Sequence, residues 1–251
     1  MTALITGASS GIGRDMARAL AGRGIDLILT ARRTERLEEL RRELEQTYSI
    51  RGEVIGCDLS QAENCLALHR QVQGKADILI NNAGFGLCGS FAETELPEEM
   101  RLIDTNIRAL HILTKLFVQD FRRQGRGWLL NVASSAAFLP GPKMAAYYAS
   151  KSYVLRLTEA LFEELRREGS PVSVSVLCPG PVRTEFSQVA DVRFLLGGMD
   201  SQKVADYAIR QMFRRKLVIL PGAAMKAARF LERFVDEKTL LRCSWHMQQR
   251  R

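Results

Sequence analysis

Thr2 to Thr6 reads as a short buried strand. It runs without a break into Gly7-Ala8-Ser9-Ser10-Gly11-Ile12-Gly13, and then into a helix that reaches about Gly22. A strand that turns on three glycines into a helix constrains the fold of this 251-residue chain more than any other stretch. The glycines divide the work. One permits the tight turn, one lets the backbone approach a phosphate, and one lets the helix pack closely on the strand. The start of the helix then presents N–H groups and a partial positive charge to an anion. A plain strand–helix joint needs the same kind of turn, but a position at the head of an alternating chain favours phosphate binding.

The alternation continues to the end. Further strands are expected at Ile25–Thr30, Glu53–Cys57, Asp77–Ile80, Trp128–Val132, Val172–Leu177 and Leu217–Leu220. Helical patterns stand between them, among them Glu35–Tyr48, Pro97–Gln124 and Asp200–Lys216, with a further helix ending near Gly169. Strand and helix in steady succession predict an α/β fold: one Rossmann-type, doubly wound parallel sheet of about seven strands with helices on both faces. Right-handed crossovers place a ligand at the carboxyl ends of such strands. Residues 1–221 form the expected domain, and 222–251 a basic amphipathic helical extension.

Composition narrows the function. The chain is 46% hydrophobic and 25% charged, ordinary for a globular protein. Its five cysteines form no C-x-x-C pair, which suits free thiols in a reducing compartment. His69, His111 and His246 are scattered, which argues against a metal site. The chain enters a strand directly after Met1, and no apolar run approaches the ~18 residues of a membrane span. A cytoplasmic location is expected. The net charge is +8, and half of it sits beyond Gly222, where seven Lys/Arg face Glu232, Asp236 and Glu237. Elsewhere arginines alternate with Glu, as in Arg33-Thr34-Glu35-Arg36, which is a solvated helix face more than a nucleic-acid surface.

The chemistry-bearing residues follow the strands. No carboxylate stands at the end of the second strand, where Asp or Glu would pair with a ribose 2′-hydroxyl. Arg32 and Arg33 stand there instead and suit a 2′-phosphate, so NADP(H) is predicted over NAD(H). Asp58, before Leu59, can accept from an adenine amino group or cap the next helix. Asn81-Asn82-Ala83-Gly84 closes the fourth strand, with asparagines to brace neighbours and a glycine to admit a ligand. Asn106 is polar within an apolar helical series, so it is either a structural satisfier or part of a proton path. Tyr147 and Lys151 are four residues apart and share one helix face. A nearby ammonium stabilises a phenolate and draws the phenol toward the working range. An ordinary helix with a packed Tyr and a surface Lys presents the same spacing.

Thr6-Gly7-x-x-x-Gly11-x-Gly13, Asn81-Asn82-Ala83-Gly84, Asn106, Ser134, Tyr147-x-x-x-Lys151 and Pro179-Gly180 together resemble the classical short-chain dehydrogenase/reductase superfamily, over about Met1 to Pro221. The family's spacing from Ser to Tyr, with Pro142 eight residues after the Ser, selects Ser134 over Ser135, and the four-residue spacing to Lys151 selects Tyr147 over Tyr148. The resemblance implies that Tyr147 is the acid in reduction and the base in oxidation. Lys151 would lower its pKa and bind the nicotinamide ribose, Ser134 would hold the substrate oxygen, and Asn106 would anchor a water-mediated relay. It further implies that Gly7, Ser9, Ser10, Gly11, Ile12 and Gly13 cradle the cofactor. Asp58 and Leu59 would meet the adenine, Asn82, Ala83 and Gly84 would line the cleft, and Pro179, Gly180, Val182 and Thr184 would approach the nicotinamide. A homodimer or homotetramer is implied too.

The expected activity is hydride transfer between NADP(H) and a carbonyl or secondary alcohol. Its substrate would be apolar, a ketone, steroid, retinoid or acyl chain, judged from Phe194-Leu195-Leu196 in a substrate-covering loop over Thr184–Gly198. The alternative is a non-catalytic NADP(H)-binding sensor, which has no need of the Tyr147, Lys151, Ser134 and Asn106 set. The tail places Met225, Ala228, Leu231 and Val235 on one face, to pack on its own domain, on a partner subunit, over the cleft, or on an anionic membrane.

Overall fold

Strands buried on both faces read as continuous apolar runs, and each successive side chain enters the opposite core. In the first strand Ala3 and Ile5 join one buried cluster and Leu4 the other. The second strand divides the same way, Leu27 and Leu29 against Ile28, and so does the fourth, Ile78 and Ile80 against Leu79.

A computed structural model describes residues 1–186, 190, 192–194 and 198–250, the side chains of 192–194, 233 and 246–250 excepted. Among the described residues, seven strands form one parallel sheet: β1 Thr2–Thr6, β2 Asp26–Ala31, β3 Gly52–Gly56, β4 Ile78–Asn81, β5 Trp128–Val132, β6 Ser173–Leu177 and β7 Val218–Ile219. Their order is β3-β2-β1-β4-β5-β6-β7. The chain winds outward from β1 to β3 and then restarts at β4 beside β1, so the winding reverses between β1 and β4.

Helices α1 (Gly11–Ala21), α2 (Thr34–Thr47), α3 (Ala62–Val72), α4 (Leu96–Ile103), α5 (Leu110–Gln124), α6 (Ala145–Arg167) and α7 (Ser201–Phe213) cover the sheet. Met16 and Leu20 of α1, Leu37 of α2 and Met212 of α7 close one core. Leu68 of α3, Phe117 and Phe121 of α5 and Leu165 of α6 close the other. Each such fully buried side chain contributes about 1.5–3 kcal/mol. Asp15 of α1 accepts from the Ser201 hydroxyl and so pins the start of α7. Helices α8 (Ala223–Leu231) and α9 (Glu237–Met247) form the tail. Residues Val192–Phe194 pair antiparallel with Gln248–Arg250. Residues 187–189, 191 and 195–197 of the expected Thr184–Gly198 loop, with Leu195 and Leu196, and the Phe194 side chain lie outside the described residues.

The helix expected over Pro97–Gln124 is not uniform. Between α4 and α5 the residues Asp104–Ala109 form a π-helical turn, and Asn106 stands inside it. Such widened turns concentrate at functional sites, and apolar periodicity does not reveal them.

One buried polar network ties the sheet centre to the helices. Asn81 Nδ2 donates to Asn131 Oδ1 at 3.0 Å and to Thr114 Oγ1 at 3.1 Å. Asn131 Nδ2 donates to Thr158 Oγ1 at 2.9 Å. Asn131→Leu strands an Asn81 N–H in a dry interior. The expected cost is about 2–3 kcal/mol, and Asn81→Leu combined with it should cost less than the two single losses added together. Urea midpoints of the three variants check this.

Candidate active site

The glycine turn sits at the reversal between β1 and β4. Gly7 has φ +64, the left-handed region that a side chain disfavours. A Cβ on Gly13 would lie 2.3 Å from Asn82 Nδ2 and 2.5 Å from Gly7 O, so only glycine lets α1 close against β4. Thr6 and Asn82 brace the turn. Thr6 Oγ1 accepts from the backbone N–H of Asn82 at 2.9 Å and of Ala83 at 3.0 Å. Asn82 Nδ2 donates to the carbonyls of Thr6 and Gly7 at 3.0 and 3.1 Å. No side chain caps α1, and no acidic residue occupies its first turn. Its positive end therefore faces the cleft uncompensated.

That cleft has a volume of about 650 Å³, within the about 300–1,000 Å³ usual for ligand pockets. Every residue predicted to touch a cofactor lines it except Gly13. Of the four predicted catalytic residues, Ser134, Tyr147 and Lys151 line it, and Asn106 stands behind the wall. Asp58 lines the cleft, and its Oδ1 accepts from Ser60 N at 3.0 Å and Ser60 Oγ at 2.9 Å. It braces the turn before α3, whose N-cap is Gln61, and so does not cap the helix itself.

At the other end, α6 starts at Ala145 and buries Tyr147 and Lys151 on one face. Tyr147 lies beside Ser134, whose side chain counters part of the rise that burial gives the phenol. Ser134 Oγ also accepts from Ala136 N at 3.1 Å, capping the short 3₁₀ turn Ser135–Phe138. Lys151 Nζ donates to Val132 O at 3.0 Å and stands 5.8 Å from the Tyr147 ring centroid. Asn106 clamps the neighbouring wall. It accepts from Phe85 N at 3.1 Å and donates to Phe85 O at 2.9 Å and Ser150 Oγ at 3.1 Å. Ser150 in turn donates to Tyr147 O at 2.7 Å. A Cβ on Gly84 would fall 2.9 Å from Asn106 Oδ1 and 3.4 Å from Lys151 Nζ, so this wall, too, needs a bare backbone.

Burial governs the charge of the pair. It raises the Tyr147 phenol above its ordinary value, and the Ser134 side chain reverses this only in part. Burial likewise pushes Lys151 down to about 8. The expected pull of the Lys151 ammonium on the phenol is not among the causes of its shift in the protein alone. Both side chains lose water, and Nζ spends a proton on Val132 O, not on the phenol.

Several lining residues escaped the sequence reading. Phe85, Phe138, Met144, Tyr148 and Phe186 make the substrate end apolar, and the Phe186 ring centroid lies 5.2 Å from that of Tyr147. Helix α8 closes this end with Met225, Ala228 and Arg229, and the turn after it adds Glu232. Of the face read from the sequence, Met225 and Ala228 line the cleft, whereas Leu231 is 60% exposed and Val235 38%. The Arg229 guanidinium takes the inward position because it lies 4.3 Å over the Phe138 ring and pairs with Glu232. Apolar periodicity cannot register a cation that packs on a ring.

The glycine turn at the winding reversal, the arginines beyond β2, the bare Gly84 wall and the buried Tyr147–Ser134–Lys151 group fit a pyridine dinucleotide. They define the class of dinucleotide-dependent oxidoreductases. The short chain dehydrogenase family model matches residues 1–192, and the chain belongs to that family. Three solved structures are similar to it. A short-chain dehydrogenase from Sphingobium yanoikuyae, in complex with NADPH, is 33% identical with a TM-score of 0.83, covering 94% of this chain and 96% of its own. The bulky-bulky ketone specific alcohol dehydrogenase from Comamonas testosteroni is 30% identical with a TM-score of 0.81, covering 93% and 91%. A short chain dehydrogenase/reductase from Burkholderia phymatum, in complex with NAD, is 27% identical with a TM-score of 0.83, covering 93% and 92%. No helix among the described residues is long and apolar enough to cross a membrane.

The lowered Lys151 pKa has a signed consequence. Between about 8 and the ordinary 10.5 the unfolded chain holds a proton that the folded chain has released, so stability rises with pH across that window. Lys151→Met lacks this gain. From pH 7.5 to 10 the native chain should gain about 2–3 kcal/mol relative to the variant, read from paired urea midpoints.

Proposed function

We propose that the protein is an NADP(H)-dependent oxidoreductase that interconverts a carbonyl and a secondary alcohol on an apolar substrate. The observation that carries this reading is the buried Tyr147, with Lys151 one turn away and Ser134 beside it, lining an apolar cleft. When bound, NADPH supplies the hydride for the carbonyl carbon. The chain supplies position and the proton.

Ser134 and Tyr147 both bond the carbonyl oxygen. Ser134 is held for this by its place at the head of the 3₁₀ turn. The raised phenol stays protonated at neutral pH, as a proton donor must. It releases its proton to the oxygen as negative charge builds there. Lys151 is anchored to Val132 O beside the Gly84 wall and binds the nicotinamide ribose. Asn106 holds Phe85 and Ser150 and so keeps that wall against α6. Its Oδ1 has a second lone pair, which anchors the proton relay from Lys151.

Arg32 and Arg33 line the adenosine end and favour a 2′-phosphate. The Phe85, Phe138, Met144, Phe186 and Met225 walls select a bulky apolar ketone. A dinucleotide sensor has no use for a buried proton donor. We further infer a homodimer or homotetramer. The outward face of α8 and the turn after it, where Phe230, Leu231 and Phe234 are 59%, 60% and 74% exposed, is the part of the tail suited to an anionic membrane.

Tyr147→Phe tests the central step: ketone-dependent NADPH oxidation should fall about 10²–10⁴-fold while the affinity for NADPH stays within about twofold. Retained turnover would remove Tyr147 from the role. Cofactor choice is tested by Arg33→Ala, which should weaken NADPH about tenfold and NADH by less than about twofold in fluorescence titrations. A native preference for NADH would overturn the NADP assignment.

A further inference from the structure

The fold delivers a carboxylate to the adenosine end that does not come from β2 or its loop. Glu185 follows β6, yet its side chain reaches the start of α2. Glu185 Oε2 accepts from Arg33 Nη1 at 3.0 Å, and Oε1 accepts from Arg36 Nη1 at 2.7 Å. The same Arg33 donates through Nη2 to Ser10 Oγ at 3.1 Å and Ser9 Oγ at 3.3 Å. Two guanidiniums one helical turn apart thus converge on one anionic group at the rim of the cleft, and two serine hydroxyls hold the Arg33 guanidinium from its other side. Arg36 and Arg33 also hold the Glu185 carboxyl below its ordinary range, so it is charged at neutral pH.

We propose that Glu185 is an internal stand-in for the cofactor's 2′-phosphate and a determinant of cofactor choice: the phosphate displaces it from Arg33 and releases the segment that carries it. This rests on the NADP(H) reading above. The exchange is favourable by charge. A phosphate brings nearly two negative charges and three acceptor oxygens where the carboxylate brings one charge and two. It is also easy to make, because the side chains of Glu185, Arg33 and Arg36 are 41%, 45% and 46% exposed, and exposed pairs of this kind are weak.

The displacement reaches the reacting end because of what flanks Glu185. Thr184 lies against the glycine turn, its Cγ2 3.1 Å from where a Cβ on Gly11 would stand. Phe186 packs on Tyr147, and its N–H donates to Thr184 Oγ1 at 3.2 Å. One short segment therefore joins the 2′-phosphate site to the wall beside the proton donor. NADPH, but not NADH, loosens it on binding.

Binding of NADPH, NADH, 2′,5′-ADP and 5′-ADP to the native chain and to Glu185→Gln tests this. The variant should bind NADPH and 2′,5′-ADP about fivefold more tightly, the scale of two exposed ion pairs, and NADH and 5′-ADP within about twofold. A native chain that prefers 2′,5′-ADP, with no gain in the variant, overturns the stand-in and leaves the NADP(H) reading intact. A native chain without that preference, which the variant acquires, supports the stand-in and overturns the NADP(H) reading. Loss of affinity for all four ligands in the variant would make Glu185 a structural support and end the proposal. A second readout needs no variant: hydrogen exchange in the peptide covering Thr184 to Phe186 should quicken with 2′,5′-ADP and not with 5′-ADP. Equal protection by both would contradict the displacement.

Discussion

The pairing of β1 with β4 is the constraint on which the rest depends. Strand order reverses there, so the loops after these two strands diverge to opposite faces and leave a crevice between them. The crevice stays open because its floor is fixed without bulk. Thr6 and Asn82 tie the two loops by side chain to backbone, and Gly13 lets α1 close behind them. With one end of the cleft set by this joint, β5 and α6 bring Ser134, Tyr147 and Lys151 to its other end at the same edge.

Desolvation then decides the chemistry. A phenol and an amine in water would sit far on the neutral and the charged side of pH 7, respectively. Buried together, each is pushed toward its neutral form, the phenol upward and the amine down to about 8. The phenol is thereby kept protonated at neutral pH, and the amine titrates at about 8. Sequence spacing alone suggested that the amine's charge dominates the phenol. The structure gives burial the larger part, and the Ser134 side chain the main countervailing one.

What was legible in the sequence is what local chemistry writes. The strands, the glycine turn, the paired asparagines and the helical Tyr147–Lys151 spacing each depend on neighbours within a few residues, and all converge on one edge. The missing pieces are those that arrive from far along the chain. Glu185 meets Arg33 across 152 residues, and no pattern around either residue announces the other. The sequence argument from an absent carboxylate at the end of β2 was sound for that loop, yet β6 supplies one to the same place. Helix α8 was visible as an amphipathic segment, but its inward face was set by Arg229 packing on Phe138, which periodicity does not weigh. Asn106 was recognised as a buried polar group; that it sits in a π turn and clamps Phe85 needed coordinates.

The account stands on hydride passing within this cleft to a carbonyl held by Tyr147 and Ser134. Its most direct test is isotopic: NADPH deuterated at the transferable position, incubated with the native chain and a bulky aryl ketone, followed by mass analysis of the alcohol. The account predicts alcohol with one deuterium on the carbinol carbon, formed one for one with oxidised cofactor. Tight binding of the labelled NADPH with no alcohol formed across a panel of such ketones would contradict it.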